Sequence, residues 1–284
     1  MSRVVYVNGE YVHEEDAKIS VFDRGFLFAD GVYEVAAVIG GKLVDNEAHL
    51  VRLERSLAEL KMRCPVSFEE IPVIQRELVA VNEIDEGMVY LQVSRGVADR
   101  DFNFPKKEQP SLVMFTQDRS ISNSPKAVRG IRVSTQPDIR WKRRDIKTVQ
   151  LLAQSLVKEA ALSAGADDAW MVEDGFVTEG SSNNAFIVTM DGTLVTRQLG
   201  NDILHGITRR AMLEIAAEEG LAVEERPFTV EEAQGAAEAF STSASALVMP
   251  VISIDNKTIS QGVPGPITRK LRERYIEIAR ETAV

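Results

Sequence analysis

The sequence predicts an α+β fold. Antiparallel hairpins marked by Asn-Gly and Asp-Gly turns alternate irregularly with helices opened by capping motifs, without the regular βαβ repeat of a doubly wound sheet. The length of 284 residues, against the ~150 that typify one domain, leaves room for two domains. Hydrophobic residues at 44% and charged residues at 27%, with 18 Gly and 10 Pro, exclude a collagenous or disordered chain.

The elements follow in order. Val4 to Val7 and Tyr11-Val12 flank Asn8-Gly9, a type I′ hairpin signal, and Val35 to Ile39 returns through Gly40-Gly41 to Lys42-Leu43-Val44. After Asn46, read as an N-cap, Leu50, Leu53, Leu57 and Leu60 recur at helical spacing. Ser67-x-x-Glu70 is a capping box that opens a second helix towards Val81. Met88 to Val93 and Ser111 to Thr116 read as strands. From Gln117 to Ala127 periodicity gives way to turn residues, which predicts a first domain over 1–118, a linker over 119–129 and a second domain over 130–284.

The second half opens on a strand, Gly130 to Thr135, and continues with an amphipathic helix predicted over Thr148 to Ser163 that Gly165 terminates. Hairpins follow around Asp174-Gly175 and Asp191-Gly192. Helices are expected near Thr208 and near Thr229, where Thr229-x-x-Glu232 is another capping box. A strand pair turns at Asp255-Asn256, and Pro266 suits the first position of a C-terminal helix.

Several function classes are disfavoured. A net charge of −10 opposes a nucleic-acid or anionic-membrane partner, without forbidding a local pocket for a small anion. Cys64, the single cysteine, cannot form an internal disulfide, and neither a signal-type segment nor a membrane span is recognisable, so a cytoplasmic setting is expected. The histidines at 13, 49 and 205 are too scattered to suggest a metal site or a histidine-based triad, and no metal is expected.

Four stretches could carry chemistry. Lys147 ends a basic irregular segment where a helix is expected to begin, and a helix N-terminus disfavours an ammonium, which favours the neutral amine that forms a Schiff base. Taken alone it also reads as a solvated basic residue. Thr178-Glu179-Gly180-Ser181-Ser182-Asn183-Asn184 sets one carboxylate in a polar turn, which is equally a hairpin bend. Leu204-His205-Gly206-Ile207-Thr208-Arg209 offers free amides and a hydroxyl at a helix start, and Ser241-Thr242-Ser243-Ala244 a second hydroxyl-rich turn. Both suit a phosphate, and both are open to ordinary capping and turn chemistry.

In this order the four stretches resemble the fold-type IV pyridoxal-phosphate enzymes, a family that includes D-amino acid aminotransferases, branched-chain aminotransferases and aminodeoxychorismate lyases. The resemblance is strongest to the bacterial D-amino acid aminotransferases. Asp23-Arg24-Gly25-Phe26, Asp30 to Val35, His49 to Leu53, Gln92 to Gly96 and Asp138 to Trp141 extend it over almost the whole chain. It implies a small N-terminal α/β sandwich-like domain and a larger C-terminal α+β domain with a pseudo-barrel sheet.

The resemblance also implies roles. Lys147 corresponds to the lysine that holds pyridoxal 5′-phosphate as a Schiff base and shuttles a proton, with pyridoxamine 5′-phosphate as the intermediate form. Glu179 matches the carboxylate that pairs with the pyridine nitrogen. Arg52, Ile207, Thr208 and Ser243 match the phosphate cup, and Leu204 the residue packed on the ring. Ala244 stands where the family commonly has Thr, so only its backbone amide could bind. Tyr33 and Arg100 match two members of a substrate-carboxylate trap, while Phe102 replaces the third, a His. Loss of that donor points towards hydrophobic D-amino acids, or towards (R)-amines without a carboxylate. The implied reaction is transamination between a D-amino acid and a 2-oxo acid such as pyruvate or 2-oxoglutarate. The alternatives are a branched-chain or (R)-amine transaminase, or aminodeoxychorismate lyase. A homodimer is implied as well.

Overall fold

Asn8 and Gly9 take positive φ, 50° and 105°, and close the first hairpin, β1 (Val4–Val7) with β2 (Glu10–His13). The structure is a computed structural model and describes residues 2–284. The chain forms two compact units. The first holds the chain up to Ser120, Ile146–Gln150 and Ala279–Val284; the second holds Ile121–Asp145 and Leu151–Ile278. This division differs from the expected boundary, since Lys147 falls in the first unit and not with the 130–284 stretch.

The first unit continues through α1 (Arg24–Phe28), β3 (Gly31–Ile39), β4 (Lys42–Leu43), α2 (Asn46–Glu59), α3 (Glu70–Val81), β5 (Glu86–Ser94) and β6 (Ser111–Asp118). Its six strands form one antiparallel sheet in the order β2-β1-β6-β5-β3-β4. Leu53, Leu57, Ile71 and Leu78 from the helices bury against Val32, Leu91, Val93, Leu112 and Met114 from the sheet, and Ile146 joins this core. Asp45, not Asn46, occupies the N-cap position of α2. The reciprocal bonds expected of Ser67-x-x-Glu70 form, Ser67 N donating to Glu70 Oε2 at 2.9 Å and Glu70 N to Ser67 Oγ at 3.3 Å, but α3 itself starts only at Glu70, with Glu69 in the N-cap position.

The second unit comprises α4 (Pro125–Arg129), β7 (Ile131–Pro137), α5 (Leu152–Ser163), β8 (Asp168–Glu173), β9 (Phe176–Gly180), β10 (Asn184–Val188), β11 (Leu194–Thr196), α6 (Ile207–Glu218), β12 (Val223–Glu225), α7 (Val230–Gln234), β13 (Glu238–Ser243), β14 (Leu247–Ile254), β15 (Lys257–Thr258) and most of α8 (Pro266–Thr282). Its sheet runs β12-β11-β10-β13-β14-β7-β8-β9, with β15 on β14, and mixes parallel with antiparallel pairs. β9, at one end of that order, also packs against β10 near the other, so the sheet curls. Trp170, Val177, Ile187, Phe228, Val251 and Ile254 fill its core, and buried Trp170 donates its Nε1 hydrogen to Ser241 Oγ at 2.9 Å.

Two expectations are corrected. The expected linker contains a short helix, α4, started by Pro125 at its first turn. The helix expected from Thr148 begins only at Leu152, because residues 147–149 are taken up by the edge of β3: Val32 bridges Thr148, Tyr33 N donates to Lys147 O at 3.0 Å and Val149 N to Gly31 O at 3.1 Å. Among the described residues no helix is long and apolar enough to cross a membrane.

Candidate active site

Glu179 lies at the end of β9, fully buried, where a bare carboxylate would be costly. It accepts hydrogen bonds from Arg140 Nη1, from Asn184 Nδ2 at 2.9 Å and from the Leu204 amide at 3.1 and 3.2 Å. Burial nevertheless pushes its pKa up, with Arg140 opposing the rise. Arg140 is aimed by Asp138, which takes its Nε at 2.9 Å and Nη2 at 2.6 Å and also accepts from Thr178 Oγ1 at 2.7 Å. Although burial acts to raise it, the Asp138 carboxyl is held low by Arg140, Thr178 and Arg144.

Asn184 joins this carboxylate to the start of α6. Its Nδ2 also donates to Leu204 O at 3.0 Å, and a Cβ on Gly206, the N-cap of α6, would lie 2.0 Å from its Oδ1. Among the described residues no side chain caps α6, whose first residues, Ile207 and Thr208, are buried. Helix α6 packs on β13, which ends at Ser243, and Ala244 opens the turn from β13 to β14. The structure thus joins Glu179 to Leu204 directly, and Asn184 lies against Gly206, the residue before the Ile207–Thr208 helix start.

In the first unit, Lys147 Nζ sits 4.2 Å from the centroid of the Tyr33 ring, a cation–π geometry. The helix-terminus field invoked from the sequence fades within one turn and does not reach Lys147, which lies in the extended segment on β3. The Tyr33 ring stacks on Tyr90 at 5.5 Å, and Tyr90 on Phe115 at 4.7 Å. The Lys147 amide donates to Ser56 Oγ at 3.5 Å, one turn along α2 from Arg52.

Arg52 itself grips Glu34 through two bonds of 2.8 Å, and His49 Nδ1 lies 2.7 Å from the same carboxylate. Despite complete burial, Arg52 and His49 hold the Glu34 carboxyl at about 2. Arg100 and Phe102 lie together on the loop after β5, and make no hydrogen bond, ion pair or ring contact with Tyr33 or Lys147 among the described residues.

Sequence reasoning assigned no role to Glu34, His49, Asp138, Arg140 or Asn184. All five lie in segments that carried the resemblance or the polar turn, but the pairing that gives each a function is tertiary. The only local signal was a charge or amide beside apolar strand residues.

The comparisons with known proteins give the family. The family described as amino-transferase class IV matches residues 31–254. This chain is a class IV aminotransferase. It is 40% identical over 279 residues to a D-alanine aminotransferase of Staphylococcus aureus (strain MSSA476), covering 96% of this chain and 98% of that one. With a D-alanine aminotransferase of Bacillus licheniformis it shares 36% identity over 269 residues, 94% of each. Among solved structures of the class, a T.th. branched-chain amino acid aminotransferase with pyridoxamine 5′-phosphate superposes with a TM-score of 0.92 at 27% identity, covering 98% of this chain and 94% of that one.

Proposed function

We propose that this aminotransferase moves an amino group from a D-amino acid, D-alanine foremost, to a 2-oxo acid such as pyruvate or 2-oxoglutarate. The observation that carries the reading is the near full-length likeness to D-alanine aminotransferases at 40% identity. The family works with pyridoxal 5′-phosphate, and the second unit suits such a group. It offers an oriented carboxylate for a ring nitrogen and an uncapped helix start for a phosphate. It also holds an orphaned hydroxyl: Thr242 lies opposite Asn184 across β10 and β13, hence on the same face, and its buried Oγ1 has no partner among the described residues.

When bound, the cofactor supplies a carbonyl that takes up the amino group and a ring that accepts electrons. Lys147 is the attachment point, and its Nζ accepts the proton leaving the substrate α-carbon and returns it on the other side of the transfer. The Tyr33 ring fixes where that Nζ stands. Glu179 keeps the ring nitrogen protonated, with Arg140, Asn184 and the Leu204 amide holding its carboxylate in place. The Ile207 and Ala244 amides and the Thr208 and Ser243 hydroxyls hold the phosphate, Arg52 supplies its counter-charge and Leu204 packs on the ring. Arg100 with Tyr33 receives the substrate carboxylate, and Phe102 gives an apolar wall. The same reading includes a homodimer working in the cytoplasm, for which Val21, Phe22 and Phe26 provide exposed apolar surface.

The test is a panel of half-reactions followed by the absorbance of the bound cofactor. D-Alanine is expected to discharge the yellow band and L-leucine to leave it. The reverse pattern would make the chain a branched-chain aminotransferase, the activity of its structural neighbour. A borohydride-reducible band that survives in Lys147→Ala would remove Lys147 from its role. Phe102→His is expected to improve use of acidic D-amino acids, and unchanged specificity would place Phe102 outside the pocket.

A further inference from the structure

Helix α1 sends two side chains to the loop that carries Arg100. Arg24 is buried and pairs through Nε with Asp30 at 2.8 Å, while its Nη1 donates to the carbonyls of Asp101 at 2.6 Å and Asn103 at 3.4 Å. Arg95 donates to the same Asp30 oxygen at 2.8 Å and lies 3.7 Å from the Phe104 ring centroid. The Asn103 amide closes a turn on Asp101 Oδ1 at 3.0 Å. The loop backbone is therefore tied down on both sides of Phe102.

The second side chain is Phe28. Its ring meets that of Phe102 edge to face at 5.7 Å, and the Arg100 guanidinium stands over both, 5.5 Å from Phe28 and 5.8 Å from Phe102. Arg24 covers Phe28 in turn at 4.5 Å. Arg100 is exposed, and among the described residues no carboxylate pairs with it. A guanidinium resting on aromatic rings keeps its planar fork available for a carboxylate and has already lost part of the rotamer freedom that binding would cost.

We propose that Phe28 and Arg24 are positioning residues that hold Arg100 as a preformed receptor for the substrate carboxylate: Phe28 carries the guanidinium, and Arg24 fixes both Phe28 and the loop backbone. Phe102 is the second ring of the holder, which gives a purpose to the aromatic found where the family has a His. The inference rests on the reading of Arg100 given above. It adds two residues of α1 that contact neither cofactor nor substrate to the set that decides specificity.

Steady-state kinetics of the cofactor-loaded enzyme with D-alanine and pyruvate test it. Phe28→Leu is expected to raise KM for both substrates about tenfold, with kcat changed by less than about twofold and the cofactor band intact. In an Arg100→Met background the same change should add nothing, because the receptor it serves is gone. Arg24→Lys, which keeps the charge facing Asp30 but cannot reach both carbonyls, should reproduce the KM rise and serves as the second variant if Phe28→Leu loads poorly. Wild-type KM in both variants overturns the proposal, as does a rise that persists undiminished without Arg100. If Arg100→Met alone leaves KM unchanged, Arg100 is no carboxylate receptor and both readings fall; if it raises KM while Phe28→Leu and Arg24→Lys do not, only the positioning role falls.

Discussion

Outside the proposed reacting groups, Glu34 is a buried carboxylate with a clear consequence for stability. It sits on β3 with its side chain inside the unit, and Arg52 and His49 are its partners. Removing one member of a buried pair strands the other charge, which typically costs about 3–5 kcal/mol. The pH dependence follows from the sign of the shift. The carboxyl is held at about 2 when folded against an ordinary value of 4.5, so the stability it contributes is complete above the ordinary value. That stability is lost as pH falls through the folded one. At 1.36 kcal/mol per pKa unit the difference is on the order of 3 kcal/mol. Glu34→Gln is therefore expected to lower stability near neutral pH by roughly that amount and to flatten the acid limb, read as urea midpoints across the acid range. Parallel acid limbs for variant and wild type would show that other carboxylates dominate. Arg52 would also lose its fixed direction, so cofactor retention should fall in the same variant.

Among the elements, those announced by local chemistry were legible. Asn8-Gly9, Gly40-Gly41 and Asp174-Gly175 all adopt positive φ in the turns they predict, and Thr229 Oγ1 accepts from the Glu232 amide at 3.1 Å as its capping box requires. The start of α5 was not legible, because the competition at 147–149 comes from the distant edge of β3, which no window of local sequence contains. Lys147 and Glu179 stand out as candidates only through the family resemblance, whereas the groups that bond to Glu179 do not, since Asn184 and Arg140 reach it only through the fold. The joint between β10 and α6 makes this testable. Gly206 has no room for a Cβ against Asn184 Oδ1, so Gly206→Ala should push the Asn184 amide off Glu179 and weaken cofactor retention by about tenfold, the equivalent of one hydrogen bond to a charged group. Equilibrium dialysis measures the loss. Adding Asn184→Ala should relieve the clash without restoring affinity, and full retention in the single variant would show that Asn184 does not orient Glu179.

At the scale of the whole molecule, the first unit is not a continuous stretch of chain. β4 has only two residues and covers one end of β3, which would leave the other end, Gly31 to Tyr33, as an open sheet edge. Residues 147–149 close that edge, and Ile146 enters the core beside Val32 and Leu57. At the far end, Leu43 and Val284 exchange two backbone hydrogen bonds of 2.8 and 3.0 Å. The segment that carries Lys147 is therefore a structural part of the first unit, so the lysine proposed as the attachment point is held by sheet pairing and not by a loop. A fragment ending at Ser120 contains all six named strands yet lacks these closures. It is expected to lose cooperative thermal unfolding and to self-associate through the exposed edge, whereas the same fragment with Ile146–Gln150 appended through a flexible Gly/Ser linker should recover a cooperative, monomeric transition. Calorimetry with sedimentation distinguishes the two. A monomeric Ser120 fragment that melts cooperatively would mean that the Lys147 segment is only laid on a finished sheet, and its position would then depend on the cofactor it holds and not on β3.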